Sequence, residues 1–318
     1  MKSVDLTPRG RNLRRPECVL ASSGGDLYVS DWRGGVTAIR ADGTQQSWLA
    51  MDSPVDLKPN GIAFDQSGKF LIANLGDAGG IWRLDVSGHV EPVADRLESA
   101  PFPPANFVWL DDEDRIWATV STLHEPRQRA WRPDIADGLV VVIDNKGPRI
   151  VAEGLHYTNE ARVDPSGAWL YVVETFGQRL VRFPLRGDGL GESELIAQFG
   201  PDFFPDGFAF DAESGIWVTS LVSNTILRVE PDGRHRVFLE ERNESHVAAF
   251  QRNFEAGTLS PDALGPIPKA RLQHTTSLAF GGPDGKRLAI GCLHNDCVFE
   301  TSVDISGAPV RHLVQQLP

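Results

Sequence analysis

The 318 residues carry 31 Lys and Arg against 43 Asp and Glu, a net charge of −12, which speaks against nucleic acid or an anionic membrane surface as a partner. With 41% hydrophobic and 23% charged residues the composition is that of a folded chain, and no apolar run approaches the ~18 residues of a membrane helix. The opening stretch MKSVDLTPRGRNLRRPE is basic but has no apolar core, so it does not read as a signal peptide. Cys18, Cys292 and Cys297 are odd in number and do not have metal-site spacing even with His294 between the last two, so small buried thiols and a cytoplasmic location are the expectation.

Taken in order, the elements repeat. Glu17 opens a first unit with strands expected over 18–21, 27–30, 36–40 and 46–49 and turns at Gly24-Gly25 and Asp42-Gly43. The second opens at Asn60 (NGIAFDQSGKFLIAN), the third at Asn106 (NFVWLDDEDRIWATV) and the fourth at Asn159 (NEARVDPSGAWLYVVET). The fifth opens at Asp206, with strands expected over 208–210, 216–219, 226–230 and 236–239, and the sixth at Ser277. In units two to five an Asp follows the opening residue by five positions (Asp65, Asp111, Asp164, Asp211). A polar turn comes next, then a strand carrying an aromatic: Phe70, Trp117, Trp169 or Trp217. Ser87-Gly88, Lys146-Gly147 and Asp232-Gly233 mark hairpins between outer strands. Six four-stranded units of roughly 40–50 residues describe an all-β, six-bladed β-propeller, a single domain over residues 1–318. The stretch before Glu17 is expected to pair with the last blade and close the ring.

Two segments interrupt the rhythm. Residues 125–137 lengthen blade three, and residues 240–273 separate blades five and six. Within the second, 244–259 has a helical period with Val247, Phe250 and Phe254 on one face. A helical insertion here is expected to cap one face of the propeller, with the choice of face open.

Residues at one register of every blade lie on one ring about the axis, so Glu17, Asn60, Asn106, Asn159, Asp206 and Ser277 should converge at the starts of the innermost strands. Two carboxylates and three amide carbonyls around an axis make an all-oxygen cage, which selects Ca2+ foremost, with Mg2+, Mn2+ or Zn2+ possible. Glu17 and Asp206 would otherwise repel each other there.

The pieces Pro16-Glu17, Asn106 with Asp111, Asn159 with Tyr171, Pro205-Asp206-Gly207, and Thr276-Ser277 leading into Phe280-Gly281-Gly282 stand in a family order. In these the chain resembles the senescence marker protein/gluconolactonase/luciferin-regenerating family, within the calcium-dependent lactonase and phosphotriesterase propellers. The resemblance implies that Glu17, Asn159 and Asp206 bind a metal. It also implies Asn106 as a further ligand or substrate contact, and Asp206 as general base or nucleophile. Tyr171 to Thr175 (YVVET) is also similar to strictosidine-synthase-like propellers. Against the family pattern, an Arg two residues before Asn106 is replaced by Pro104, an Asp after it by Phe107, and a Gly after Asn159 by Glu160. Counted without gaps from Asn106, a family substrate-contacting Glu falls on His124.

With Phe102, Phe107, Phe203 and Phe204 expected near the mouth, an apolar or aromatic small molecule suits the site better than a sugar lactone. The expected activity is metal-dependent hydrolysis of a lactone or ester, with the cation polarising the carbonyl, Asp206 as base or nucleophile and His124 as an acid near neutral pH. Asn60, Phe107, Phe204, Glu160 and Ser277 are the candidate substrate contacts. No G-x-S-x-G elbow, H-E-x-x-H pair or phosphate loop offers another hydrolytic arrangement. A metal-assisted lyase, isomerase or condensing enzyme and a non-catalytic, metal-stabilised binding propeller are the alternatives.

Overall fold

The computed structural model describes residues 4–187 and 189–310. Six antiparallel sheets form the six blades. Blade one is Val19–Ala21, Leu27–Asp31, Gly35–Ile39 and Gln45–Leu49. Blade two is Pro59–Phe64, Phe70–Asn74, Ile81–Leu84 and Val90–Ala94. Blade three is Phe107–Leu110, Ile116–Val120, Gly138–Asp144 and Gly147–Leu155. Blade four is Thr158–Val163, Trp169–Glu174, Arg179–Arg186 and Glu194–Gln198. Blade five is Pro205–Phe210, Ile216–Ser220, Thr225–Val229 and His235–Glu240. Blade six is Thr275–Gly281, Arg287–Cys292 and Val298–Ser302, and its fourth strand comes from the other end of the chain, Thr7–Arg9.

The first strand of each blade touches the first strand of the next, round to blade one again, so these six line the axis. Thr7 pairs with Glu300 and Arg9 with Val298, closing the ring as expected and leaving blade six without a bare edge at that strand.

The repeated Asp is a turn device, not a site residue. Asp211 Oδ1 accepts the main-chain N–H of Glu213 (2.9 Å) and Gly215 (2.7 Å), while Oδ2 accepts Trp217 Nε1 (2.8 Å) and Arg228 Nε (2.6 Å). Asp111 does the same with Glu113, Arg115 and Trp117. In blades three and five one carboxylate thus satisfies the turn's amides and ties the next strand's indole to it, while Asp65 and Asp164 share only the first of these two features, accepting the turn amides.

The innermost strands of blades two, four, five and six share an irregularity that the sequence does not reveal. Pro59 pairs with Asn74 and Ile62 with Ile72, so an extra residue is inserted at Asn60-Gly61. The same shift falls between Thr158 and Ala161, between Pro205 and Phe208, and between Thr275 and Leu278. Each is a β-bulge, and a bulge re-aims its side chains. Blade five's inner strand therefore begins at Pro205, three residues before its expected start. Gly61 and Gly207 occupy bulges where backbone packs close: a Cβ on Gly61 would stand 2.6 Å from Phe107 Cα, and one on Gly207 would collide with Thr276 O and sit 2.7 Å from Glu160 Oε1.

The helix α1, Glu244–Glu255, begins at an Asn243 cap whose side chain accepts His246 N–H (3.1 Å), and it ends before the expected 259, at Gly257 with φ +64°. Val247, Phe250 and Phe254 are buried against Tyr157, Phe176, Phe204 and Leu221. Those partners flank the starts of the innermost strands in blades four and five. The cap therefore lies over the ring face, and Trp131 of the blade-three insertion packs into the same cluster.

Candidate metal and catalytic site

Five of the six ring residues meet. A cavity of about 10 Å3, room for about one ion or water, is lined by Glu17, Asn60, Asn106, Asn159 and Asp206 together with Cys18, Gly61, Phe107 and Glu160. All five are at least nine-tenths buried. Asn60 Nδ2 donates to Glu17 Oε1 (2.8 Å) and to the main-chain oxygen of Asn106 (3.0 Å). Asn106 Nδ2 donates to Asn159 Oδ1 (2.8 Å), and Asn159 Nδ2 to Thr175 Oγ1 (3.2 Å). Asn60 Oδ1 is buried with no partner among the described residues. A buried amide oxygen without a donor costs free energy, and a cation in the cavity would satisfy it.

The electrostatics point the same way. Burial pushes the Asp206 carboxyl well above the usual carboxylate range, and the negative charges of Glu17 and Glu160 push it further, against Arg15 and the Asn159 amide. Glu17 is tied to Arg15 (Nε to Oε2, 2.7 Å), whose guanidinium lies 4.3 Å from the Trp32 ring centroid. Among the described residues no three His, Cys, Asp or Glu side chains gather as a metal cluster; the donor set is two carboxylates and three amides. That chemistry fits a hard, oxygen-seeking cation, and it places Asn60, which the family resemblance did not name as a ligand, among the donors.

The remaining candidates are placed apart from the cavity or serve it structurally. His124 is exposed: Asp137 Oδ2 accepts Thr122 Oγ1 and Leu123 N–H (both 2.8 Å), holding the loop outward, and His124 Nε2 stands 4.0 Å from the same carboxylate. Phe204 is wholly buried beneath α1, its ring 4.8 Å from Phe250 and 5.3 Å from Phe254, and so is packed away from any substrate. Ser277 Oγ accepts Val19 N–H (2.9 Å), joining blade six to blade one. Phe107 lies under the Arg162 guanidinium (5.1 Å).

Glu160 borders the cavity from the axial channel, where its Oε2 accepts Arg162 Nη2 (2.8 Å), Arg162 Nε (3.0 Å) and Phe208 N–H (3.1 Å). Burial raises its carboxyl, with Arg162 opposing. The thiols are free, and burial pushes Cys18, beneath the ring, up to about 12.

Sequence reasoning missed Arg127. It lies in the 3-10 turn Arg127–Ala130 of the blade-three insertion, and its Nη2 donates to Asn106 Oδ1 (3.2 Å). On the open side of the face a groove of about 770 Å3, lined by residues 12–15, 32–33 and 293–296, runs to Arg15 and Trp32.

A closed six-bladed propeller with an oxygen-lined axial site beneath a helical cap defines the class. Residues 15–248 match the model of the SMP-30/gluconolactonase/LRE-like region, and the chain belongs to that family. In structure it is similar to a gluconolactonase of Xanthomonas campestris (TM-score 0.70, 19% identity, covering 95% of this chain and 90% of that one). It is also similar to regucalcin, a calcium-binding protein of Agrobacterium tumefaciens (TM-score 0.65, 19% identity, 100% and 96% covered). The virginiamycin B lyase of Staphylococcus aureus shares the fold at 13% identity (TM-score 0.60, 97% and 89% covered). No curated protein matches the sequence significantly. No helix among the described residues is long and apolar enough to cross a membrane.

Proposed function

We propose that the chain is a metal-dependent hydrolase of lactones or esters, acting on a small molecule with apolar or aromatic surface. The observation that carries this reading is the axial cavity, with space for one ion, lined by the Glu17 and Asp206 carboxyls and by Asn106, Asn159 and Asn60, whose amide oxygen is buried without a partner. Glu17, Asn60, Asn106, Asn159 and Asp206 would hold a divalent cation, Ca2+ foremost. When bound, it would supply polarisation of the substrate carbonyl and lower the cost of the negative charge that develops on its oxygen.

Asp206 is the base. Its carboxylate, which a cation in the cavity would keep ionised, takes the proton of the attacking water and returns it to the alkoxide released when the acyl C–O bond breaks. The Asn106 and Asn159 amides, bonded to each other, fix the direction from which the carbonyl can approach. The cap over blades four and five excludes water from that side. Phe107, which lines the cavity, supports the apolar preference.

The test is proton release in a pH-stat against sugar lactones, aromatic lactones and aryl esters, using metal-stripped protein before and after Ca2+, Mn2+ or Zn2+. Metal-restored turnover of aromatic but not sugar substrates is expected. Silence across the panel with a metal tightly bound would replace hydrolysis with non-hydrolytic chemistry or plain binding.

A further inference from the structure

We propose that Arg127 makes this site selective for substrates that carry a carboxylate beside the reactive carbonyl. The inference rests on the hydrolase reading for its reaction but on separate atoms for its specificity. Arg127 is half-buried at the rim of the ring, held entirely by neutral groups. Nη2 donates to Asn106 Oδ1 and Ser121 Oγ (both 3.2 Å), and Nε donates to the Tyr157 hydroxyl (2.9 Å). The guanidinium lies 5.3 Å from the Tyr157 ring centroid, and Trp131 Nε1 fixes the same hydroxyl from its other side.

The positioning is thorough, yet nothing neutralises the charge. Among the described residues no carboxylate pairs with Arg127, and its Nη1 has no partner, whereas Arg15 is matched to Glu17 and Arg162 to Glu160. Taking a cation partly out of water without a counter-charge is costly, and such groups are ordinarily paired. A guanidinium presents a planar fork that suits a carboxylate, and Nη1 is the donor left for one.

Tyr157, whose ring lies 5.3 Å from the guanidinium, is itself packed against Phe176 (centroids 4.7 Å apart) beneath α1, so the fork has a fixed support. Arg127 thus provides, from an insertion, a cation that Pro104 cannot.

The experiment compares matched probes on the Ca2+-loaded protein: coumarin-3-carboxylate with its amide, and 2-carboxyphenyl acetate with phenyl acetate. Wild type, Arg127→Gln and Arg127→Lys are assayed for kcat and KM, and benzoate and benzamide binding is read by tryptophan fluorescence. Arg127→Gln should raise KM for the carboxylates by about 10- to 100-fold more than for their neutral partners, the value of a charge-assisted contact. Benzoate binding should weaken with it and benzamide binding should not.

Should Arg127→Gln fail to fold, Arg127→Lys keeps the charge without the fork and must still lose part of the carboxylate preference. Equal use of charged and neutral probes by wild type, or equal damage to both in the variants, overturns the inference and leaves the hydrolase intact. If no probe is hydrolysed, the hydrolase reading falls. Arg127-dependent benzoate binding then still upholds the anion site, and its absence overturns that too.

Discussion

Replacing Arg162 by Met strips the axial channel of the one cation that faces Glu160. The two side chains are 6% and 4% exposed and joined at 2.8 Å, so this is a buried pair and not a surface one. Removing one partner of such a pair costs about 3–5 kcal/mol, whereas replacing both by apolar or neutral groups of similar volume is near neutral. Met keeps contact with the aromatic bed that Arg162 now covers, Trp109 (4.8 Å), Phe107 (5.1 Å) and Phe208 (5.8 Å), which limits the loss to charge and hydrogen bonding.

The deficit must also depend on pH. Burial already raises the Glu160 carboxyl, and losing Arg162 raises it further. A carboxyl raised in the folded state disfavours folding once it ionises, so stability falls as pH rises from the unfolded carboxyl range through the folded pKa. Urea unfolding of Arg162→Met, Glu160→Gln and the double variant, metal-free, at about pH 5 and about pH 8 closes the cycle. Arg162→Met should be the weakest, more so at the higher pH, and the double variant should recover most of the loss. A single-variant cost below about 1 kcal/mol, or one equal at both pH values, would refute a buried, charge-coupled pair.

Asp206→Asn should abolish turnover and weaken Ca2+ binding, yet make the metal-free protein more stable at neutral pH. Asp206 is raised in the fold, so ionising it destabilises the fold, and the variant's advantage should shrink as pH falls towards the ordinary carboxyl range. Urea midpoints across pH check the sign. Asn60→Ala, which removes the unpartnered oxygen, should weaken Ca2+ binding in calorimetry by at least about tenfold, or ~1.4 kcal/mol. Trp217→Phe should cost about 1.5–3 kcal/mol by leaving the Asp211 carboxylate short of a donor. Trp169→Phe should cost less, because that ring instead lies 3.9 Å beneath the Arg182 guanidinium.

The blades were legible because four of the six repeat a local rule, an Asp whose carboxylate organises a turn before the next strand, as at Asp111 and Asp211. The convergence of Glu17, Asn60, Asn106, Asn159 and Asp206 followed from that register alone. The bulges were not legible, since an extra residue in one strand leaves the pattern of apolar residues intact and shows only in the pairing of Pro205 and Phe208 with the next strand. Arg127 lies 21 positions after Asn106, in an insertion with no period to place it. His124 was assigned by an ungapped count into the edge of that insertion, where equal spacing no longer means equal position. The pairing of Glu160 with Arg162 was equally hidden, because Glu160 lies in the bulge between Thr158 and Ala161, where strand alternation breaks.

The clasp between Thr7–Arg9 and Val298–Ser302 gives the molecule an order of assembly. Arg9 and Glu300 are bonded at 2.8 Å across 291 positions of chain, so nearly everything between them has to be made before they can meet. During synthesis residues 7–9 are made before the other strands of the six blades and wait for their partner, and Val298–Ser302 presents an open edge until the two pair. The entropy of closing so long a loop grows only slowly with its length, but such a distant pairing forms late. The seam between the earliest and latest strands is therefore where the ring last becomes a ring, and where a stalled or truncated chain would be open to pairing with a neighbour.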